Sequence, residues 1–427
     1  MHPSIILFFV LSFFAIGTYL FKLKAAPSAA NVFVLYFIAS VLLPYLTRDN
    51  IDPYTDNFSK FLLYEGVHEA FAYLMFVFVF TSFVYRLYLV SLPTNIYASH
   101  AFAKDNLVAI RFAVISIALS LLYSIISILI YGDVTSFLLS TYKRVQSGSS
   151  ISNFKSILYW GAAVFALLAF YFSSNNKSRN YSFCALLLAL ILSLSNGGRS
   201  VFILFIFAIL YKRILIATTR KFIIFSSVFF VFILIASYSM ILLRYIIQDA
   251  TILETNDSGS FALAATGLRY LDHFIVSTLY ADWRGHDYGE LYKNAFLSFI
   301  PRGIWEGKPQ LISAELRYYL YGDYTGGVPP GLFGEAYISA GIFGLFVISN
   351  FYGILLAWFD NQARKARRTL CPFKISFLGF FIPLIGFTLV RGGIDIGVFR
   401  LGIPLFWFLV AYIWLRSQSR LRMNIVI

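Results

Sequence analysis

Residues Leu107–Ile130 read LVAIRFAVISIALSLLYSIISILI, twenty-four positions with a single charge, Arg111. As an α-helix this run extends about 36 Å, enough to cross a hydrocarbon core of roughly 30 Å. Similar runs lie on both sides of it, at 4–21, 31–46, 66–90, 155–173, 181–195, 200–217, 222–244, 331–357, 375–390 and 397–415. The pattern predicts an all-α polytopic membrane protein with about eleven transmembrane helices.

Composition requires the same class. Of the 427 residues 59% are apolar and 13% charged, with a mean hydropathy of +0.76. A soluble domain keeps about a quarter of its residues charged, so the apolar excess here has to face lipid. The net charge of +14 does not point to nucleic acid, because the basic residues sit in short clusters between apolar runs. Lys22–Lys24, Lys177–Arg179, Lys212–Lys221, Arg364–Lys374 and Arg416–Arg422 are such clusters. They fix a topology with the amino terminus outside and the basic loops inside. On that topology only two of the 20 acids, Asp105 and Asp360, lie on the inner side. Ile5–Phe21 follows Met-His-Pro-Ser without a basic region or a cleavage site, and is expected to be a retained span.

The chain divides into a bundle over 1–244, a large outer loop over 245–330 and a second bundle over 331–427. A connector as long as that loop is expected to be functional. Ser260–Trp283 is predicted to be an amphipathic helix with Arg269, His273, Val276 and Tyr280 on one face. Pro301, Pro309, Pro329 and Pro330 then break the loop into short helices over a cavity mouth. The two cysteines, Cys184 and Cys371, both lie outside the loop, which therefore has no disulfide framework.

Two polar islands interrupt the apolar pattern. The run 181–195 is short and ends in Asn196-Gly197-Gly198-Arg199-Ser200; the run 375–390 contains Pro383 and ends in Arg391-Gly392-Gly393-Ile394-Asp395. An ionisable residue beside a glycine break in a short span points to a site. Glycine lets a ligand approach the backbone, and arginine offers a planar fork of donors to phosphate oxygens. Arg199 and Arg391 are therefore candidate ligands for a lipid-borne phosphate; the alternative is that they only snorkel to the interface. In the loop, Arg302, Trp305 and Lys308 combine cations with an indole, and Tyr318, Tyr319, Tyr321 and Tyr324 follow. Glu335, about one turn inside the run 331–357, is expensive at that depth unless it is paired or working. It is a candidate for a working group, and His273, on one face with Arg269, is another. A paired Glu335 and a structural His273 are the alternatives. Glu65, His68 and Glu69 share a face at the start of the third run and carry no assigned role. No Asp-x-Asp, His-x-x-x-His, Walker or dinucleotide motif is present, so neither metal nor cofactor is expected.

Gly197-Gly198-Arg199-Ser200, Pro301-Arg302 with Trp305 and Lys308-Pro309, and Gly334-Glu335-Ala336-Tyr337 with Gly341 and Gly344 resemble the marks of the O-antigen polymerases, the oligosaccharide repeat-unit polymerases. The resemblance implies a C-type glycosyltransferase fold in the bacterial inner membrane with its active face periplasmic. The implied substrates are oligosaccharides on undecaprenyl pyrophosphate. The growing chain is the donor and the fresh unit the acceptor, and a separate chain-length regulator is a possible partner. Arg199, Arg269, Arg302 and Arg391 would stabilise the departing pyrophosphate, and Trp305, Lys308 and Tyr337 would contact sugar or phosphate. An O-antigen ligase and a lipid-linked oligosaccharide flippase are the rival readings. The long loop and the absence of an internal repeat weigh against the flippase.

Overall fold

In the computed structural model, residues 28–46, 66–92, 104–132, 149–195, 199–217, 270–297, 300, 305, 307, 309–322, 324 and 327–425 are described. Among them all regular structure is helical. Helix α1 spans Ala29–Leu46, α2 Val67–Ser91, α3 Asn106–Tyr131, α4 Ser149–Phe172, α5 Asn176–Ser195 and α6 Arg199–Ile216. The short helices α7 (Tyr270–Arg284), α8 (Glu290–Phe296) and α9 (Ile312–Tyr321) follow. The last three are α10 (Gly331–Thr369), α11 (Pro372–Leu389) and α12 (Val390–Ile425).

Among the described residues, seven segments are long and apolar enough to cross a membrane: α1 to α4, α10, α11 with its continuation to Ile394, and the part of α12 from Arg400 to Gln418. The chain is an all-α, multi-pass membrane protein. The expected spans 181–195 and 200–217 fall in helices α5 and α6, which are not among those seven. The runs 4–21 and 222–244 lie outside the described residues.

Neighbouring helices meet through small residues and indole or hydroxyl donors. The Trp407 indole N–H donates to the Ile157 carbonyl at 2.9 Å, and Gly161 lies against the same ring, which clamps α12 to α4. The Asn106 side-chain oxygen accepts from the backbone N–H groups of Ser174 and Asn175 and from the hydroxyls of Ser174 and Ser178, tying α3 to the α4–α5 turn. Prolines locate two widened turns. Pro44 follows the π-helical stretch Ile38–Leu42, and Pro383 precedes Leu384–Leu389. Each proline removes a ladder donor, and the wider turn accommodates the loss.

At the end of the bundle that carries Lys365 and Arg368, Asp360 of α10 is buried. Its Oδ1 accepts from the Ala29 N–H at 2.6 Å, and its Oδ2 accepts from the Tyr85 hydroxyl at 2.7 Å. Asp360 thus caps α1 from the far end of the sequence. A carboxylate at a helix N-terminus satisfies an orphan donor and complements the helix dipole.

Helix α10 is not one straight rod. Ala340 and Gly341 leave helical geometry, and Gly341 has φ +57°, a region that favours glycine. In a continuous helix, residues 333 and 352 would stand about 28 Å apart. The rings of Phe333 and Tyr352 are instead 5.8 Å apart between centroids. Gly344 is also packed so tightly on the Ala336 carbonyl that a Cβ there would lie 1.9 Å from its oxygen. The first part, 331–339, therefore folds back against the second, 342–369. It is a re-entrant half-helix, whereas the sequence suggests a straight span over 331–357.

Candidate functional site

The site is built where two interrupted helices meet. The first is the half-helix 331–339, which begins deep in the bundle. The Tyr270 hydroxyl accepts from the backbone N–H groups of Phe333 at 3.2 Å and Gly334 at 3.1 Å, closing its first turn. Its other end is closed by the α7–α8 connection. The N–H groups of Asp287 and Tyr288 donate to the carbonyls of Ile338 and Ser339, and the Nδ1 of His286 lies 3.3 Å from the Ile338 carbonyl. Asp287 in turn accepts from the N–H groups of Gly289 and Leu291, which starts α8.

The second interruption is Gly393, where φ is +74° and ψ is −173°. The break falls within the Arg391-Gly392-Gly393 island and leaves Ile394 at the start of a new helical run. Its backbone N–H donates to Oε2 of Glu335 at 2.6 Å. Gly393 faces the same carboxylate, and a Cβ added there would lie 2.1 Å from Oε1. Nearby, Gly331 is packed against the Val390 carbonyl and the Tyr270 ring.

Glu335 and the Arg391 island, separate in the sequence, thus form one place in the fold. Glu335 is fully buried. Arg391 is half-buried and lies within electrostatic reach of Tyr36, whose ring also approaches those of Phe387 and Tyr270. Half-helix N-termini inside a bundle carry partial positive charge and favour anions. Here the starts at Gly331 and Ile394 lie by the fixed Glu335 carboxylate, and Arg391 stands three positions before Ile394 in the same chain segment. Such a place can hold an anionic group beside a proton acceptor.

The other expected residues are distributed differently. Tyr337 lies two positions beyond Glu335, on the other side of the half-helix. There its ring meets Tyr73 at 5.4 Å, His286 at 5.9 Å and Phe274 at 6.0 Å. Tyr73 donates its hydroxyl to Oε1 of Glu69, so a carboxylate on α2 joins the Tyr337 side. His273 sits half-buried in the first turn of α7, where its carbonyl accepts from the Ser277 hydroxyl. The predicted helix Ser260–Trp283 is described as Tyr270–Arg284, with Val276 and Tyr280 buried. Trp305 is half-buried beside Gly307. Arg269, Arg302 and Lys308 lie outside the described residues, as does the side chain of Arg199, whose backbone opens α6.

Sequence reasoning missed Tyr270, Tyr36, Tyr73 and His286. A tyrosine looks the same in the sequence whether it faces lipid, packs in a core or caps a half-helix, and nothing near His286 in the loop marks its approach to the Ile338 carbonyl. Glu69 was noticed for its spacing, but its partner was not.

Comparison of the chain with known families, with curated proteins and with solved structures gave no match.

Proposed function

We propose that the chain is a glycosyltransferase that polymerises oligosaccharide repeat units carried on undecaprenyl pyrophosphate, at the periplasmic face of the bacterial inner membrane. One observation carries this reading: Gly334-Glu335-Ala336-Tyr337 and Arg391-Gly392-Gly393, two of the sequence's most polar features at membrane depth, are in contact through Glu335 and Ile394. A site for this reaction has to hold a pyrophosphate at lipid depth and an acceptor hydroxyl beside a base.

In the reaction, the acceptor hydroxyl oxygen attacks the anomeric carbon of the donor. The bond from that carbon to the pyrophosphate oxygen breaks through an oxocarbenium-like state. The hydroxyl proton passes to Glu335, whose orientation the Ile394 N–H fixes. The pyrophosphate leaves as an anion toward the Arg391 guanidinium, with the positive dipole ends of the half-helices opposing the charge that develops. Arg199, Arg269, Arg302 and Lys308 remain further candidates for that role, His273 for the base, and Trp305 and Tyr337 for sugar contact.

One observation favours a second reading. Helices interrupted inside a bundle are also the architecture of secondary transporters, which suits a flippase for the same lipid-linked saccharide. Deletion of the coding sequence separates the two on a gel of cell-surface glycolipid. A polymerase deletion leaves the lipid core bearing a single repeat unit, whereas bare core would reject polymerase in favour of a flippase or a ligase.

A further inference from the structure

Outside the Glu335–Arg391 site, α7, α8, α9 and the far end of the half-helix 331–339 enclose a small core of their own, which includes Val276, Leu291, Leu316 and Ile338. On its surface stands an aromatic corner. The Trp283 indole is 69% exposed, and its ring lies 5.4 Å from Tyr319 at 37° and 5.9 Å from Tyr280. Tyr280 is itself buried and edge-on to Tyr319 at 5.7 Å.

A polar network braces this corner. The Tyr280 hydroxyl donates to Oε2 of Glu315 at 2.5 Å, and the Arg284 guanidinium bonds both the hydroxyl and the carboxylate. Burial first, and then the bond to Glu315, push the Tyr280 hydroxyl above its ordinary value, so it stays a neutral donor. The Arg284 guanidinium also lies 5.7 Å from the centre of the Tyr280 ring. Three side chains on two helices are thereby locked beside an exposed indole.

The geometry points to a saccharide-binding platform: the exposed Trp283 face, with Tyr319 beside it, takes the apolar face of a sugar ring, and Arg284 and Glu315 take its hydroxyls. An aromatic face against ring C–H groups, flanked by one cationic donor and one anionic acceptor, matches the two-sided chemistry of a carbohydrate. Arg284 and Glu315 stay partly exposed beside the ring, with donor and acceptor valences left over that a sugar hydroxyl can use and a lipid tail cannot. Position supports the same occupant. Thirteen positions along α7 lead from Tyr270, which caps the half-helix that carries Glu335, to Trp283, a rise of about 20 Å. A saccharide whose pyrophosphate end sat at Arg391 would reach the platform with sugars well removed from the reacting bond. This inference rests on the polymerase reading and assigns the platform to the growing chain rather than to the reacting unit.

The experiment uses the full chain in nanodiscs and, as probe, lipid-free oligosaccharide of two or more repeat units released by mild acid from the cell's own surface polysaccharide. Saturation-transfer NMR measures binding, and a gel of reconstituted product measures chain length. Trp283→Ala and Tyr319→Leu are expected to weaken binding at least fivefold and to shorten the product, while addition of the first unit stays within about twofold. Trp283→Tyr should restore most of both. Binding and length unchanged in Trp283→Ala or, should that variant not accumulate, in Tyr319→Leu would overturn the platform. A wild-type chain that elongates its substrate but does not bind the probe would also overturn the platform and leave the polymerase reading standing. Probe binding that depends on Trp283 in a chain that never elongates would keep the platform and reject the polymerase.

Discussion

Glu335 and Ile394, 59 positions apart, share a hydrogen bond of 2.6 Å from the Ile394 backbone N–H to Oε2 of the carboxylate. The bond exists because Gly393 interrupts α12 and leaves Ile394 without a helical acceptor behind it. Glu335 supplies the missing acceptor from another helix, so the carboxylate has a structural duty beside any chemical one.

Those two duties can be separated. In Glu335→Gln the amide oxygen can still accept from Ile394, but the side chain can no longer take a proton. Folded protein and melting temperature should be close to wild type, while polymer falls about 10²-fold or more, the usual scale for a lost general base. Glu335→Ala removes the acceptor as well and should cost about 1–3 kcal/mol in stability. Near-normal polymer from the Gln variant would reject Glu335 as the base. His273 would then be tested next, followed by Glu69.

Gly393→Ala probes the same contact from the other side. The new methyl would lie 2.1 Å from Oε1 of Glu335, at a φ of +74° and ψ of −173° that cost alanine about 1–3 kcal/mol before any clash. Melting temperature and activity should both fall. Shortening the partner in Gly393→Ala with Glu335→Asp should recover part of the loss, with a coupling of about 0.5–3 kcal/mol in a double-mutant cycle. Strict additivity would mean that the two residues are not in contact.

The Arg391-Gly392-Gly393 island and Glu335 were legible in the sequence because charge and glycine are rare in apolar runs. Their meeting was not. Hydropathy reports that residues 331–357 are apolar, but a half-helix folded back into the bundle is as apolar as a straight span. Gly341 and Gly344 were visible, yet a glycine carries no record of its φ or of the Ala336 carbonyl that Gly344 touches. Trp283 was read only as part of an amphipathic helix, since its exposure depends on how α9 packs on α7. Seven spans are recognisable among the described residues, and α5 and α6 fall short of them by composition, with Lys177, Arg179, Lys212 and Arg213 near their ends.

Arg391→Lys distinguishes a phosphate clamp from an interfacial anchor. Lysine keeps charge and reach but offers no planar fork of donors. If the guanidinium bridges phosphate oxygens, the variant should fold normally and lose about ten- to a hundredfold in rate, equivalent to roughly 1.5–3 kcal/mol for one charge-assisted contact. Polymer of wild-type amount and length would mark Arg391 as an anchor and move the phosphate site toward Arg302 and Lys308.

Orientation is open to direct chemical test. Cys371 is buried, so its failure to react carries no information. In a background with Cys184 and Cys371 replaced by serine, Tyr288→Cys should react with an impermeant maleimide in cells whose outer membrane is permeabilised. Tyr288 is 85% exposed at the end of the bundle opposite Lys365 and Arg368. Arg368→Cys should react only after the inner membrane is opened. The reverse labelling would place the Glu335–Arg391 site toward the cytoplasmic side and end the proposed reaction.

The Asp360–Ala29 bond has a consequence for biogenesis. A membrane protein is inserted from its amino terminus, yet the acceptor that closes the first turn of α1 lies 331 residues downstream. When α1 enters the bilayer, α10 has not been synthesised, and the Ala29 N–H must find water or lipid oxygen in its place. Tyr85 waits for the same carboxylate on α2. The early spans are therefore inserted as a loose set, and arrival of Asp360 fastens α1, α2 and α10 at one point. Loss of that carboxylate, as in Asp360→Ala, would leave a fully inserted but unfastened bundle, which quality-control proteases would meet before any substrate did.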